Sequence, residues 1–229
     1  MKLVLFDIDG TILWSDGAGR RAMEAAMRAR FGTSGDPSIR YDGKTDRQIA
    51  REVLRAEGFA DAEIDAQLTP LLDTYVENLV HELASHPTAA RLCAGVDRLL
   101  DAVEARADAV LGLLTGNIAA GAAHKLGAVG LEFARFRVNA FGSDHEHRPE
   151  LPRIAQRRAR EQLGLDVPGH QVVIIGDTPA DIACGRPIGA RTIAVASGRY
   201  PIEELVSHAP HAAFTDLQDT DRVLEALLS

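Results

Sequence analysis

Three apolar runs, separated by helical stretches, each give way to polar residues, and this pattern most constrains the fold. The first, Lys2 to Phe6 (KLVLF), leads into Asp7-Ile8-Asp9-Gly10. The second, residues 109–114 (AVLGLL), ends in Thr115-Gly116-Asn117. The third, residues 171–175 (QVVII), ends in Gly176-Asp177, with Asp181 one helical turn further on. Short continuous apolar runs alternating with helices read as strands of a parallel sheet covered on both faces. In such a sheet the ligand site lies beyond the carboxyl ends of the strands. If these strands are neighbours, several carboxylates and a hydroxyl converge at one edge.

The stretch between the first and second runs has a different rhythm. A helical pattern covers residues 19–31 and stops at Gly32. GTSGDPSIRYDGKT is loop by composition, and Thr45 reads as a helix cap with Gln48 as its box partner. Another helix is expected from near Asp61 to about Ala84, kinked or split at Pro70. Residues 15–86 thus read as a helical cap inserted after the first strand, with 1–14 and 87–229 forming an α/β core. In that core the expected series is helix (GVDRLLDAVEAR), strand, helix (NIAAGAAHKLGAVG), a weaker strand (RVNAFGSD), and a helix over about 150–163. A strand, the helix PADIACGRPIG, the strand ARTIAVASG, a short strand at AAF and a helix over 220–228 complete it. The fold class is α/β, a Rossmann-like parallel sheet with a helical cap.

At 229 residues the chain can bury one sizeable core and a small extra domain. A net charge of −8 with no long basic patch disfavours nucleic-acid binding. Cys93 and Cys184 make no disulfide framework, so a reducing cytoplasmic setting is expected. The first residues do not resemble a signal peptide, and no run is long enough to span a membrane.

Carboxylates gathered at one sheet edge need a cation, and hard oxygen donors suit Mg²⁺. Asp7 and Asp9 are two apart, so an extended strand would point both to one face. That arrangement suits one carboxylate attacking while the other handles a proton. The competing reading of Asp-x-Asp-Gly is a turn signal. Thr115 would hydrogen-bond an anion, Gly116 leaves it room, and Asn117 reads as the N-cap of the following helix, whose N–H groups make a phosphate seat. Asp181 belongs to a capping box with Thr178, so Asp177 is the better direct metal ligand and Asp181 a supporting one. A basic group must neutralise a transferring phosphoryl group. Arg148 and Arg153 lie in the right region; Lys125 lies in a preceding helix.

On these residues the chain resembles the haloacid dehalogenase superfamily, in its phosphoglycolate-phosphatase-like branch. FDIDGTI is similar to its first motif, LLTGN to its second and IIGDTPADI to its acidic fourth. The resemblance implies Asp7 as nucleophile and Asp9 as general acid/base. It implies Thr115 on phosphate, and Mg²⁺ on Asp7, Asp177 and the Asp9 backbone carbonyl. The third motif normally offers Lys; HRPELP offers Arg148 instead, with Arg153 as the alternative. The expected activity is hydrolysis of a small phosphate monoester through an aspartyl-phosphate. A sugar-phosphate mutase is the nearest rival. A 2-haloacid dehalogenase is disfavoured because it has no alkoxide for Asp9 to protonate.

Substrate choice is expected in the cap, at Gly43, Lys44 and Arg47 of YDGKTDRQ, while Trp14 beyond the first motif reads equally as a substrate contact or as hinge packing. Lys44 or Arg47 would meet a substrate carboxylate. His145, Glu146 and His147 raise the possibility of zinc but supply no spaced third ligand of the usual kind, and read as solvated. The expected partner is a small phosphorylated metabolite, with neither nucleic acid nor membrane; monomer and homodimer both stay open.

Overall fold

A computed structural model describes residues 1–229. Six parallel strands form the central sheet: β1 (Lys2–Phe6), β4 (Ala109–Thr115), β5 (Val138–Phe141), β6 (Val172–Gly176), β7 (Arg191–Val195) and β8 (Ala212–Phe214). Their order is β5-β4-β1-β6-β7-β8, so β1 is flanked by β4 and β6. Leu3 pairs with Val110 on one side and Val172 on the other. The three runs ending in polar residues are therefore adjacent, and their ends meet.

Side chains alternate across the sheet because successive Cβ atoms point to opposite faces. Val4 and Phe6 join one buried cluster with Leu111, Leu113, Val173 and Ile175. Helices α4 (Val96–Glu104) and α9 (Thr220–Leu228) cover that face through Leu99, Leu100 and Val223, and α5 (Ala119–Ala128) adds Ala122 and Leu126. Leu3 and Leu5 join the opposite cluster, with Ile154 and Ala155 of α6 (Leu151–Leu163) and Cys184 of α7 (Pro179–Cys184). A sheet buried on both faces explains why its strands are continuous apolar runs.

Between β1 and β4 the chain leaves and re-enters through a two-stranded antiparallel ribbon, β2 (Leu13–Trp14) against β3 (Arg91–Leu92). Two-residue strands carry no periodicity, so the sequence gives no sign of them. Three helices lie between: α1 (Ala18–Phe31), α2 (Asp46–Ala56) and α3 (Asp61–Ser85). They share a separate core in which Ala22, Met23, Ala26 and Met27 of α1 meet Leu68, Leu71, Tyr75 and Leu79 of α3. Of the kink or split expected at Pro70, the split is corrected: α3 is one continuous helix of 25 residues. Leu68 and Leu71, on either side of the proline, are both buried in the cap core. The Thr74 hydroxyl donates to the Pro70 carbonyl at 2.9 Å. Packing of that face outweighs the missing N–H. PADIACGRPIG is not one helix either, since α7 ends at Cys184 and a 3₁₀ turn follows at Arg186–Ile188. A short helix, α8 (Ile202–Ser207), was not anticipated.

No helix is long and apolar enough to cross a membrane.

Candidate active site

Asp7 is the first residue beyond β1, and its N–H continues the ladder by donating to the Ile175 carbonyl at 2.9 Å. The chain then turns sharply. The Ile8 carbonyl accepts from the N–H groups of Thr11, Ile12 and Leu13 at 3.2, 2.9 and 3.0 Å. Asp9 therefore lies beyond β1, joined to Leu13 by an isolated bridge across the turn, and the strand alternation expected for the Asp7–Asp9 pair does not apply. Gly10 has φ of 84°, and a Cβ there would lie 2.4 Å from Asp177 Oδ2. Both the turn and the closeness of Asp177 require glycine.

Asp7 is 5% exposed. One of its oxygens lies 3.1 Å from the Arg148 guanidinium, which also pairs with Asp181. Arg148 stands in a 3₁₀ turn, Arg148–Glu150, immediately before α6, and is buried. Arg153 lies on the exposed side of α6, away from the site. Asp177 follows β6, and Thr11 Oγ1 donates to it at 3.1 Å. Asp181 closes a capping box with Thr178, accepting from the Thr178 N–H at 3.0 Å and its hydroxyl at 2.6 Å.

Carboxylate oxygens of Asp7, Asp177 and Asp181 lie within 4.8 Å of one another, all buried. Burial pushes Asp7 up to about 6, against the pull of Arg148, and raises Asp177 well above the usual carboxylate range. One guanidinium among three buried carboxylates leaves excess negative charge, and all-oxygen donors fit Mg²⁺. Asp181 is already engaged by Arg148 and Thr178, so Asp7 and Asp177 have the freer oxygens.

Asp9 belongs to a different set of contacts. Lys125 donates to its two oxygens at 2.8 and 2.6 Å, and Asn117 Nδ2 donates to Oδ2 at 2.8 Å. The cap expected at Asn117 is corrected, because α5 begins at Ala119 with Ile118 as its N-cap residue. Asn117 turns inward to Asp9 and to Thr115 Oγ1, 2.8 Å away. The Ile118 N–H is satisfied from the cap instead, by the Asp46 carboxylate at 2.8 Å. Thr115 is fully buried beside Asp7 and lines the cleft.

The cap loop is seated directly on the core. Gly43 has φ of 73°, and a Cβ there would lie 2.6 Å from the Ala180 side chain. A Cβ on Gly116 would lie 2.0 Å from the Lys44 carbonyl. The Asp46 N–H donates to the Gly116 carbonyl at 2.8 Å, and Thr45 Oγ1 donates to the Glu146 carbonyl at 2.7 Å. Thr45 also caps α2 by accepting from the Gln48 N–H, but the Gln48 amide turns to Glu52 rather than closing a box. Lys44 lines the cleft with its ammonium 2.6 Å from Glu52. Trp14 lines it too, its indole N–H donating to the Ser197 carbonyl at 2.8 Å. Arg47 departs from its expected place: it is not a cleft residue, and its guanidinium reaches the Ser143 carbonyl of the core. Its position one residue beyond Asp46 on α2 turns it toward that loop.

Sequence reading passed over Arg20, Tyr41, Asp46 and Tyr75, which line the same cleft, and left Lys125 without a role. For Lys125 a signal existed. It shares the buried stripe of α5 with Gly121, Ala122 and Leu126, where an unpaired charge would be costly. The His145 and His147 rings are exposed, and the Glu146 carboxylate between them is held by Arg51 at 2.8 Å. Cys93 and Cys184 are buried free thiols, each pushed up to about 12 by burial.

The model of a family described as haloacid dehalogenase-like hydrolase matches residues 1–189. The N-acetylmuramic acid 6-phosphate phosphatase of Pseudomonas aeruginosa is 31% identical over 214 residues, covering 91% of this chain and 87% of that protein. A hydrolase from Pseudomonas syringae has the same fold with a TM-score of 0.73 at 19% identity, each chain covered completely. A predicted phosphoglycolate phosphatase from Haemophilus somnus aligns with a TM-score of 0.66 at 18% identity, over 98% of both chains.

Proposed function

Since the chain belongs to the haloacid dehalogenase-like hydrolases and is a phosphoric monoester hydrolase, we propose that it acts on a small phosphorylated metabolite through an aspartyl-phosphate on Asp7. One observation carries this reading. Asp7 is buried beside Arg148, Thr115 and Asp177, while Asp9 stands in the cleft on separate partners.

Asp7 attacks phosphorus in line, forming the Asp7 O–P bond as the ester P–O bond breaks. Asp9 gives its proton to the leaving oxygen. Asp9 then takes a proton from water as that water attacks phosphorus, releasing phosphate and restoring Asp7. Thr115 and the Gly116–Asn117 backbone bind the phosphoryl oxygens, and Arg148 offsets negative charge around Asp7. Mg²⁺, when held by Asp7, Asp177 and the Asp9 carbonyl with Asp181 in support, would neutralise charge on the phosphoryl group.

The cap side of the cleft presents Arg20, Tyr41 and Lys44, with Trp14 at the junction. Arg20 is held by Glu24 and by the Pro37 and Ile39 carbonyls, so Lys44, held by Glu52 alone, is the cation there that suits a second anionic group on the substrate. The relative's named substrate, N-acetylmuramic acid 6-phosphate, carries a carboxylate besides its phosphate, as does phosphoglycolate. A panel of these two, glucose 6-phosphate, β-glucose 1-phosphate and a phosphopeptide tests the reading. The carboxylated monoesters should give the highest kcat/KM. A preference for the phosphopeptide would reject the small-metabolite reading, and turnover of β-glucose 1-phosphate only with added bisphosphate would identify a mutase.

A further inference from the structure

Lys125 is a buried cation that the scheme above does not use. Its residue is 4% exposed. The ammonium donates to Asp9 Oδ1 at 2.8 Å, to Asp9 Oδ2 at 2.6 Å and to Asn117 Oδ1 at 2.7 Å. Three donors meet three acceptors, so none is left over for a substrate. Asn117 Nδ2 completes the frame by donating to Asp9 Oδ2. The Asp9 side chain is nevertheless 41% exposed. It is gripped from the core side and open on the cleft side.

The grip is needed because of where Asp9 stands. It lies beyond the last paired residue of β1, in a turn whose next residue is a glycine at positive φ. The sheet orients Asp7; a bridge to Leu13 holds the Asp9 backbone, but the Asp9 side chain stands outside the sheet and needs its own partners. A proton donor must reach a leaving oxygen within hydrogen-bonding distance, and small misplacements cost large factors in rate. The room for Lys125 comes from the cap. A Cβ on Gly19 of α1 would lie 3.1 Å from Nζ and 3.7 Å from the Tyr75 hydroxyl of α3. Lys125 thus passes from the core helix α5 along the wall of the cap to reach Asp9.

We infer that Lys125 is a positioning residue that acts on the reaction through Asp9, fixing the carboxylate that serves the leaving group. The inference rests on the acid/base role given to Asp9 above. Lys125 does not bind the phosphoryl group and contributes nothing once Asp9 has lost its acid function.

The test is a double-mutant cycle of Lys125→Met and Asp9→Asn. kcat and KM are measured with p-nitrophenyl phosphate and with whichever of phosphoglycolate and N-acetylmuramic acid 6-phosphate turns over faster. Lys125→Met should lower kcat on the alkyl ester by at least about tenfold, with KM within about threefold. The loss should be much smaller with the aryl ester, whose leaving group scarcely needs a proton. In the Asp9→Asn background the added loss should be under about twofold. Multiplying losses, an effect mainly on KM, or equal losses on both esters would overturn the inference. So would wild-type kinetics in Lys125→Met. Lys125→Gln keeps two N–H donors on a shorter, uncharged side chain and should fall between wild type and Met on the alkyl ester; it also serves the same cycle if the Met variant does not fold. If Asp9→Asn itself lacks leaving-group dependence, the acid/base reading fails and takes the inference with it. If Asp9→Asn shows it and Lys125→Met does not, only the positioning role fails.

Discussion

Asp7 and Asp9 are the same residue type two places apart, yet the fold puts them in opposite settings. Asp7 is enclosed with Asp177, Asp181 and Arg148, whereas Asp9 meets Lys125 and Asn117 and faces the cleft. They should not be interchangeable. Asp7→Asn should abolish turnover of alkyl and aryl phosphates alike, because no leaving group compensates for a missing nucleophile. Asp9→Asn should cost about 10²–10⁴ in single-turnover rate on an alkyl phosphate and far less on p-nitrophenyl phosphate. Equal losses on both esters would remove leaving-group protonation as its main role. Arg148 is the second test at this scale. Arg148→Ala should cut kcat/KM at least about tenfold. It should also lower the Tm, since it strands the buried carboxylates of Asp7 and Asp181. Arg153→Ala, at an exposed site, should leave both near wild type. The reverse ranking would show that Arg153 fills the basic role.

Among the elements, the junction of α2 with α5 is the least expected. Asp46, first residue of a cap helix, supplies the hydrogen bond that the core helix lacks at its own N-terminus. Burial raises its carboxyl to about 6, against the pull of Lys125 and the Ile118 N–H. An unfolded Asp ionises near 3.9, so the folded state holds this proton to higher pH than the unfolded chain does. The resulting stabilisation is full below about pH 4 and is lost as pH rises through about 6. Asp46→Asn keeps the amide oxygen as acceptor and removes the titration. Its Tm relative to wild type should therefore rise between pH 4.5 and 7. A difference that stays flat, or falls, would show that Asp46 does not hold its proton in the fold. The same junction explains Asn117. Its sequence position suits a cap, but Asp46 already serves the helix start, which frees the Asn117 side chain for Asp9.

For the whole molecule, the acidic cluster and the cap decide the behaviour. A cation bound by Asp7 and Asp177 stabilises the folded state by mass action, about 2.7 kcal/mol at a hundredfold excess over Kd. Mg²⁺ should raise the Tm, chelator should remove both the increment and turnover, and Asp177→Asn should erase the increment while keeping the fold. Ca²⁺ should inhibit, because its larger and looser shell misplaces the nucleophile. Robust hydrolysis in metal-free protein would overturn the Mg²⁺ proposal. What the sequence determined by itself follows from periodicity and short-range chemistry. The apolar runs mark strands buried on both faces. Their polar ends mark Asp7, Thr115 and Asp177, because a parallel sheet collects its strand ends at one edge. The Thr178–Asp181 box is local and could be read directly. Only the tertiary structure decided the rest. Lys125 reaches Asp9 across 116 residues, and Asp46 reaches Ile118 across 72. Arg47 and Lys44 share one loop-to-helix junction, yet only Lys44 lines the cleft. Side-chain direction at a turn or helix end depends on what packs against it, and those partners are remote in the chain. The strand pattern repeats locally and is legible; the pairing of buried charges is set by the meeting of cap and core.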